Sequence, residues 1–127
     1  MTVYLFLHIR ITKDQFIFKN EAIDGVRSWL PEVSLFDIDN HSDTTTIQAA
    51  IKAMEMAEKV YIQIEAEPET ELGGTLKILN QVMKKPSAVI DYQGRHDTLD
   101  KILVRFKDKL VAQDIQLPQK VVDFFNG

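Results

Sequence analysis

Short apolar runs alternate along this chain with stretches in which apolar residues recur three or four positions apart, the signature of strands exchanging with helices. Residues 3–9 are nearly all apolar, with aromatic and β-branched members, which predicts a central parallel strand covered on both faces. His8 and Arg10 fall on one face near its end. Asn20 can cap a helix over 21–30 in which Ala22, Ile23, Val26 and Leu30 share a face before Pro31 stops it. Gly25 weakens that helix by ~1 kcal/mol relative to alanine. A second strand is predicted over 33–38. After a polar loop, a helix running to about Lys59 carries Ile47, Ala50, Ile51, Met54 and Ala57 as one stripe, and Met54 and Met56 read as flexible core fillers.

Val60, Ile62 and Ile64 alternate with Tyr61 and Gln63, so a third strand over 60–64 suits a partly exposed, near-edge place. Leu72, Leu76, Leu79 and Met83 predict the next helix, and Pro86 leads into a fourth strand, Ala88-Val89-Ile90. Residues 97–110 give the clearest helical stripe, with Asp97 as N-cap. A short edge strand over 111–117 and a last helix opened by Pro118 complete the chain.

Strands that alternate with roughly 10 to 15 residue helices form right-handed crossovers, which cover both faces of a parallel sheet. The expected fold is therefore α/β: a Rossmann-like or flavodoxin-like three-layer sandwich with a mostly parallel sheet of four or five strands in the order 2-1-3-4. The 127 residues, 45% of them hydrophobic, suffice for one core, so 1–127 reads as a single domain. The net charge of −4 argues against double-stranded nucleic acid as a partner. With no cysteine in the chain, thiolate chemistry and sulfur-based zinc sites are excluded. The N-terminal apolar run is too short to span a bilayer and lacks a basic leader, so no membrane association and a cytoplasmic location are expected.

In such a fold ligands bind beyond the C-terminal ends of the strands. This brings His8 or Arg10, Asp37, Asp39, Glu65, Glu67, Asp91 and Tyr92 to one rim. Carboxylates there could hold a hard cation such as Mg²⁺, work as a nucleophile and acid pair, or serve solubility alone. Phosphotransfer of the receiver kind would need adjacent acids after the first strand, where His8-Ile9-Arg10 stands instead. No glycine-rich phosphate loop is present. Gly73-Gly74 has two readings. Either the third helix begins near Pro68, placing Glu69 and Glu71 in its first turn and letting another backbone approach the glycines, or Thr75 caps a shorter helix and the glycines form the turn.

Glu71-Leu72-Gly73 at a helix start, with Lys85-Pro86 leading into Ala88-Val89-Ile90, resembles the nucleoside 2-deoxyribosyltransferase family over residues 44–92. The resemblance implies N-glycosidic bond cleavage or deoxyribosyl transfer, with Glu71 as the nucleophile that attacks the anomeric carbon. It also implies Asp37, Asp39 and Glu67 as holders of ribose hydroxyls or the base, and Tyr92, Tyr4 or Trp29 as a stacking surface. The acidic turn Glu65-Ala66-Glu67-Pro68-Glu69-Thr70 departs from that family, lacking its aspartate and Gly-Thr arrangement.

The alternative functions are a non-catalytic protein-interaction domain, working as a homodimer or with another protein, and a nucleotide-sensing domain with Arg10, Lys84, Lys85 or Arg95 as counterions. No cofactor is expected. His41 and His96 lack metal-ligand spacing and read as surface or capping residues.

Overall fold

A computed structural model describes residues 4–13, 21–30, 32–82, 84–111 and 119–126. Strands β1 (Tyr4–Ile11), β2 (Ser34–Asp39), β3 (Lys59–Ala66) and β4 (Ala88–Gly94) form one parallel sheet ordered β2-β1-β3-β4. Helices α1 (Glu21–Trp29), α2 (Thr44–Met56), α3 (Thr75–Val82), α4 (Asp97–Leu103) and α5 (Gln119–Asn126) flank it. This is the expected three-layer α/β sandwich of the Rossmann or flavodoxin kind.

Side chains alternate between the faces of a strand, and here the two faces carry separate cores. Leu5, Leu7, Ile9 and Ile11 of β1 pack with Ile62, Ile64 and Ile90 against Ile47 and Met54 of α2, Leu79 and Val82 of α3, and Leu99 and Leu103 of α4. Phe6 and Tyr61 point the other way, into a smaller cluster with Val26 of α1 and Val121 and Phe125 of α5. Stacked Phe6–Tyr61 and Tyr4–Phe125 rings fill that layer at centroid separations of 5.6 and 5.1 Å.

Several local expectations are corrected. β3 is central rather than near-edge, and Tyr61 and Gln63, the residues that suggested exposure, are buried between β1 and β4. α2 ends at Met56, with Ala57 extended, because Lys59 already belongs to β3 opposite Tyr4. Met56 is consequently 68% exposed, while Met54 is core. Leu76 is exposed too, since α3 begins at Thr75 and turns Thr75, Ile78, Leu79 and Val82 inward. The 97–110 helix is α-helical only to Leu103. A 3₁₀ stretch, Val104–Lys109, follows, with Phe106 at non-helical φ −124°, ψ 36°. His96 rather than Asp97 is the N-cap, its Nδ1 accepting the Leu99 N–H at 3.3 Å.

At the chain's far end, Leu110 pairs in parallel with Ile90, and Val111 N–H donates to the Ile90 carbonyl at 2.8 Å. The remainder of the predicted fifth strand, together with Asn20, Pro31, Met83 and Pro118, lies outside the described residues. Among the described residues no helix is long and apolar enough to cross a membrane.

Candidate functional site: a polar half-face and the crevice between β1 and β3

Each strand ends in the same polar–apolar–polar pattern: His8-Ile9-Arg10, Asp37-Ile38-Asp39, Gln63-Ile64-Glu65 and Asp91-Tyr92-Gln93. The parallel register lines these up as two rungs across the sheet, Asp37–His8–Gln63–Asp91 and Asp39–Arg10–Glu65–Gln93. Both rungs lie on the face that carries Phe6 and Tyr61, toward the C-terminal ends of the strands. The central residues Ile9, Ile38, Ile64 and Tyr92 fall on the opposite, apolar face. This repeated triplet is the signal that reading the strands one at a time misses.

His8 is fully buried at the centre of the first rung. Its Nδ1–H donates to Asp37 Oδ1 at 3.2 Å, and its Nε2 makes an ion-pair contact of 3.2 Å with Glu65 Oε2. Burial alone would depress the imidazole's basicity, but the contacts and charges of Asp37 and Glu65 together outweigh it and raise the pKa above its ordinary 6.5. Glu65 responds in the opposite sense. The contact with His8 holds its carboxyl below the usual range against partial desolvation, with the charges of His8 and Arg10 assisting.

The linkage has a definite sign. A folded-state His8 pKa above the unfolded value contributes stability that is complete below about pH 6.5 and disappears as pH rises through the raised value. Glu65 contributes stability above its unfolded pKa, which is lost as pH falls through the lowered one. Urea midpoints of the wild type are therefore expected to decline from pH 6 toward pH 9, and a His8→Asn variant should show a flattened slope over that interval. Equal slopes in the two proteins would remove His8 from the linkage.

Further along the first rung, Asp91 is fully buried, accepting the Tyr61 hydroxyl at 2.7 Å and lying 3.5 Å from the Lys120 ammonium of α5. Burial and the Asp91 charge push the Tyr61 phenol strongly upward, so it stays a neutral donor. Gln63, between His8 and Asp91, buries its Oε1 without a hydrogen-bond donor among the described residues. A buried unsatisfied acceptor costs about 1–3 kcal/mol, which makes it a feature that needs a reason.

The chain runs from β1 outward to β2 and then back across to β3, so the reversal of strand order falls between β1 and β3. A crevice of about 200 Å³ opens there, lined by Arg10, Ile11 and Thr12 of the first strand end and Glu65, Ala66 and Glu67 of the third. Glu67 bridges the two strand ends there: Oε1 accepts the Thr12 hydroxyl at 3.0 Å, Oε2 accepts the Lys13 N–H at 3.2 Å, and its own N–H donates to the Ile11 carbonyl at 2.8 Å.

Asn40, just after β2, ties the surrounding loops together. Its Oδ1 accepts the Thr12 N–H at 3.0 Å, its Nδ2 donates to the Glu71 carbonyl at 2.7 Å, and its backbone N–H donates to the Arg10 carbonyl at 3.1 Å. His41 Nε2–H donates to the Thr12 carbonyl at 2.8 Å, and His96 Nε2–H donates to the Thr70 carbonyl, so both histidines brace loops.

The sequence-based site residues are thus divided. Asp37 and Glu67 sit at the polar half-face and the crevice. Asp39 shares the Arg10 rung, but its Oδ1 already accepts the His41 N–H at 2.7 Å. Tyr92 lies on the opposite face and donates its hydroxyl to Asp100 at 2.8 Å. Burial, with this contact next, pushes its pKa up to about 12. Glu71 is not in a helical first turn. The helix starts at Thr75, and Gly73-Gly74 form the turn before it, so Glu71 lies exposed in the loop and does not line the crevice. Thr75 is the first helical residue and donates its hydroxyl to the Leu72 carbonyl, which is not the N-cap geometry expected of it.

Among the described residues, no three His, Asp or Glu side chains form a group able to hold a metal ion. Comparison with family models, curated proteins and solved structures gives no match.

Proposed function

We propose that this chain is a binding domain for a small polar ligand of the nucleoside or nucleotide class, held in the crevice between β1 and β3. The observation that carries the reading is the coincidence of that crevice with the reversal of strand order, the place where open parallel sheets hold ligands. Its chemistry suits a sugar. Glu65, kept ionised by His8 and Arg10, is an acceptor for paired hydroxyls, and Arg10 supplies a cation for a phosphate or a base carbonyl. Gln63 brings a further buried acceptor to the neighbouring rung.

The test is a thermal-shift and calorimetric series with adenosine, deoxyadenosine, uridine and their monophosphates. At least one is expected to raise the unfolding midpoint by several degrees at about 100 Kd, which corresponds to roughly 2.7 kcal/mol. Glu65→Gln should weaken that binding about tenfold or more, and Glu71→Gln should leave it unchanged. No stabilisation by any of them at millimolar concentration would defeat the proposal.

The catalytic reading, N-glycosidic cleavage or deoxyribosyl transfer with Glu71 as nucleophile, draws on the resemblance over 44–92 and on the Asn40 bond that ties the Glu71 backbone to the loop beside the crevice. The exposure of Glu71 favours binding over chemistry. Base release from a deoxynucleoside by the wild type, abolished in Glu71→Gln, would reverse that preference.

A further inference from the structure

On the apolar side of the sheet, away from the crevice, residues of α3, α4 and the 3₁₀ stretch line a groove of about 270 Å³. Leu76, Leu79, Ile102 and Phe106 form its hydrocarbon surface, and Lys101 and Arg105 also line it. The backbone of Phe106, one of the lining residues, leaves helical geometry. Leu76 is 41% exposed on the facing helix, an apolar side chain left at the surface rather than in the core.

The charges are as uneven as the packing. Lys101, in α4, and Arg105, in the 3₁₀ stretch that follows it, are both exposed and both line the groove. Neither forms an ion pair among the described residues. Asp100, next to Lys101 in sequence, accepts the Tyr92 hydroxyl instead, while Asp97 precedes Lys101 by four positions in α4 and Asp108 follows Arg105 by three. An apolar groove beside two cations that form no ion pair among the described residues is complementary to a molecule with a hydrocarbon body and one anionic head.

We propose that this groove binds a small amphipathic carboxylate, with an aliphatic or aryl body of roughly six to ten carbons. The size follows from a groove volume of about 270 Å³, just below the ~300 Å³ at which pockets begin to take drug-sized ligands. The hydrocarbon covers Leu76, Leu79, Ile102 and Phe106, while the carboxylate accepts from Lys101 and Arg105. Such a ligand brings an anion to the two cations and removes the exposed leucine from water in one event. The site is independent of the β1–β3 crevice.

The experiment is a titration of the ¹⁵N-labelled full chain with octanoate, acetate and octylamine, followed by amide shifts. Octanoate is expected to give saturable shifts centred on residues 76–80 and 98–106. Acetate lacks the body and octylamine carries the wrong charge, so both should give at least tenfold weaker effects. A Lys101→Gln/Arg105→Gln double variant, altered only at exposed positions, should weaken octanoate about tenfold or more. Leu76→Ser should weaken it independently. The proposal fails if octanoate produces no saturable shift, or shifts centred elsewhere. It fails equally if octylamine binds as well, if the double variant is unaffected, or if the same amides move with protein concentration alone, which would make the groove a contact between copies.

Discussion

Gly73→Ala is expected to lose about 3 kcal/mol or more of folding stability, read as a drop in the urea midpoint at constant slope. Two costs combine. Gly73 has φ +57°, in the left-handed region, where a β-carbon costs roughly 1–2 kcal/mol. That β-carbon would also stand 2.3 Å from the Asn40 carbonyl oxygen, a backbone atom that cannot swing aside without shifting the loop that braces the crevice. Two neighbours calibrate the effect. At Gly74 the added carbon would meet only the Ile47 side chain, at 2.9 Å, so Gly74→Ala should cost less. At Gly25 it would meet nothing within 4 Å, so Gly25→Ala should stabilise α1 by about 0.5–1 kcal/mol. A Gly73→Ala protein as stable as the wild type would refute the loop packing described above.

Asp91→Ala should be comparably damaging, at about 3–5 kcal/mol, because it removes one partner of a buried ion pair and the acceptor of a buried phenol together. Lys120 and Tyr61 keep their burial in the variant but lose this carboxylate, and desolvation is no longer offset by it. Asp91→Asn, which retains a carbonyl acceptor for Tyr61, should cost less. Hydrogen exchange should locate the damage: amides of α5 are expected to lose protection first in Asp91→Ala, since Lys120 fastens that helix to β4. Global unfolding with α5 no less protected than the rest would show that the pair does not anchor the helix.

Much of the architecture was legible from spacing alone. The run around Leu5-Phe6-Leu7, the α2 stripe and the Pro86 turn each carry a local cause, and right-handed crossovers leave few ways to join them. What was hidden depended on neighbours distant in sequence. Tyr61 and Gln63 look exposed because they are polar, yet Asp91 and the adjoining strands enclose them. The start of α3 was ambiguous because glycine in a helical turn and glycine in a tight loop have the same composition. The Asn40 backbone that decides between them lies over thirty positions upstream. Glu71 was singled out by the family resemblance together with one reading of that turn, whereas it is Glu65 that lines the crevice. Glu65 was expected on the rim, but its ion-pair contact with His8 and its place opposite Arg10 follow only from the register of adjoining strands.

The two-sided chemistry of the sheet also bears on how the chain avoids misalignment while it folds. Sliding any one strand by a single residue would drive its acid, amide, imidazole or guanidinium heads into oil and turn isoleucines toward the polar side. Every strand carries this penalty at the same end, so the correct alignment is enforced by what each wrong one would bury, before any ligand arrives.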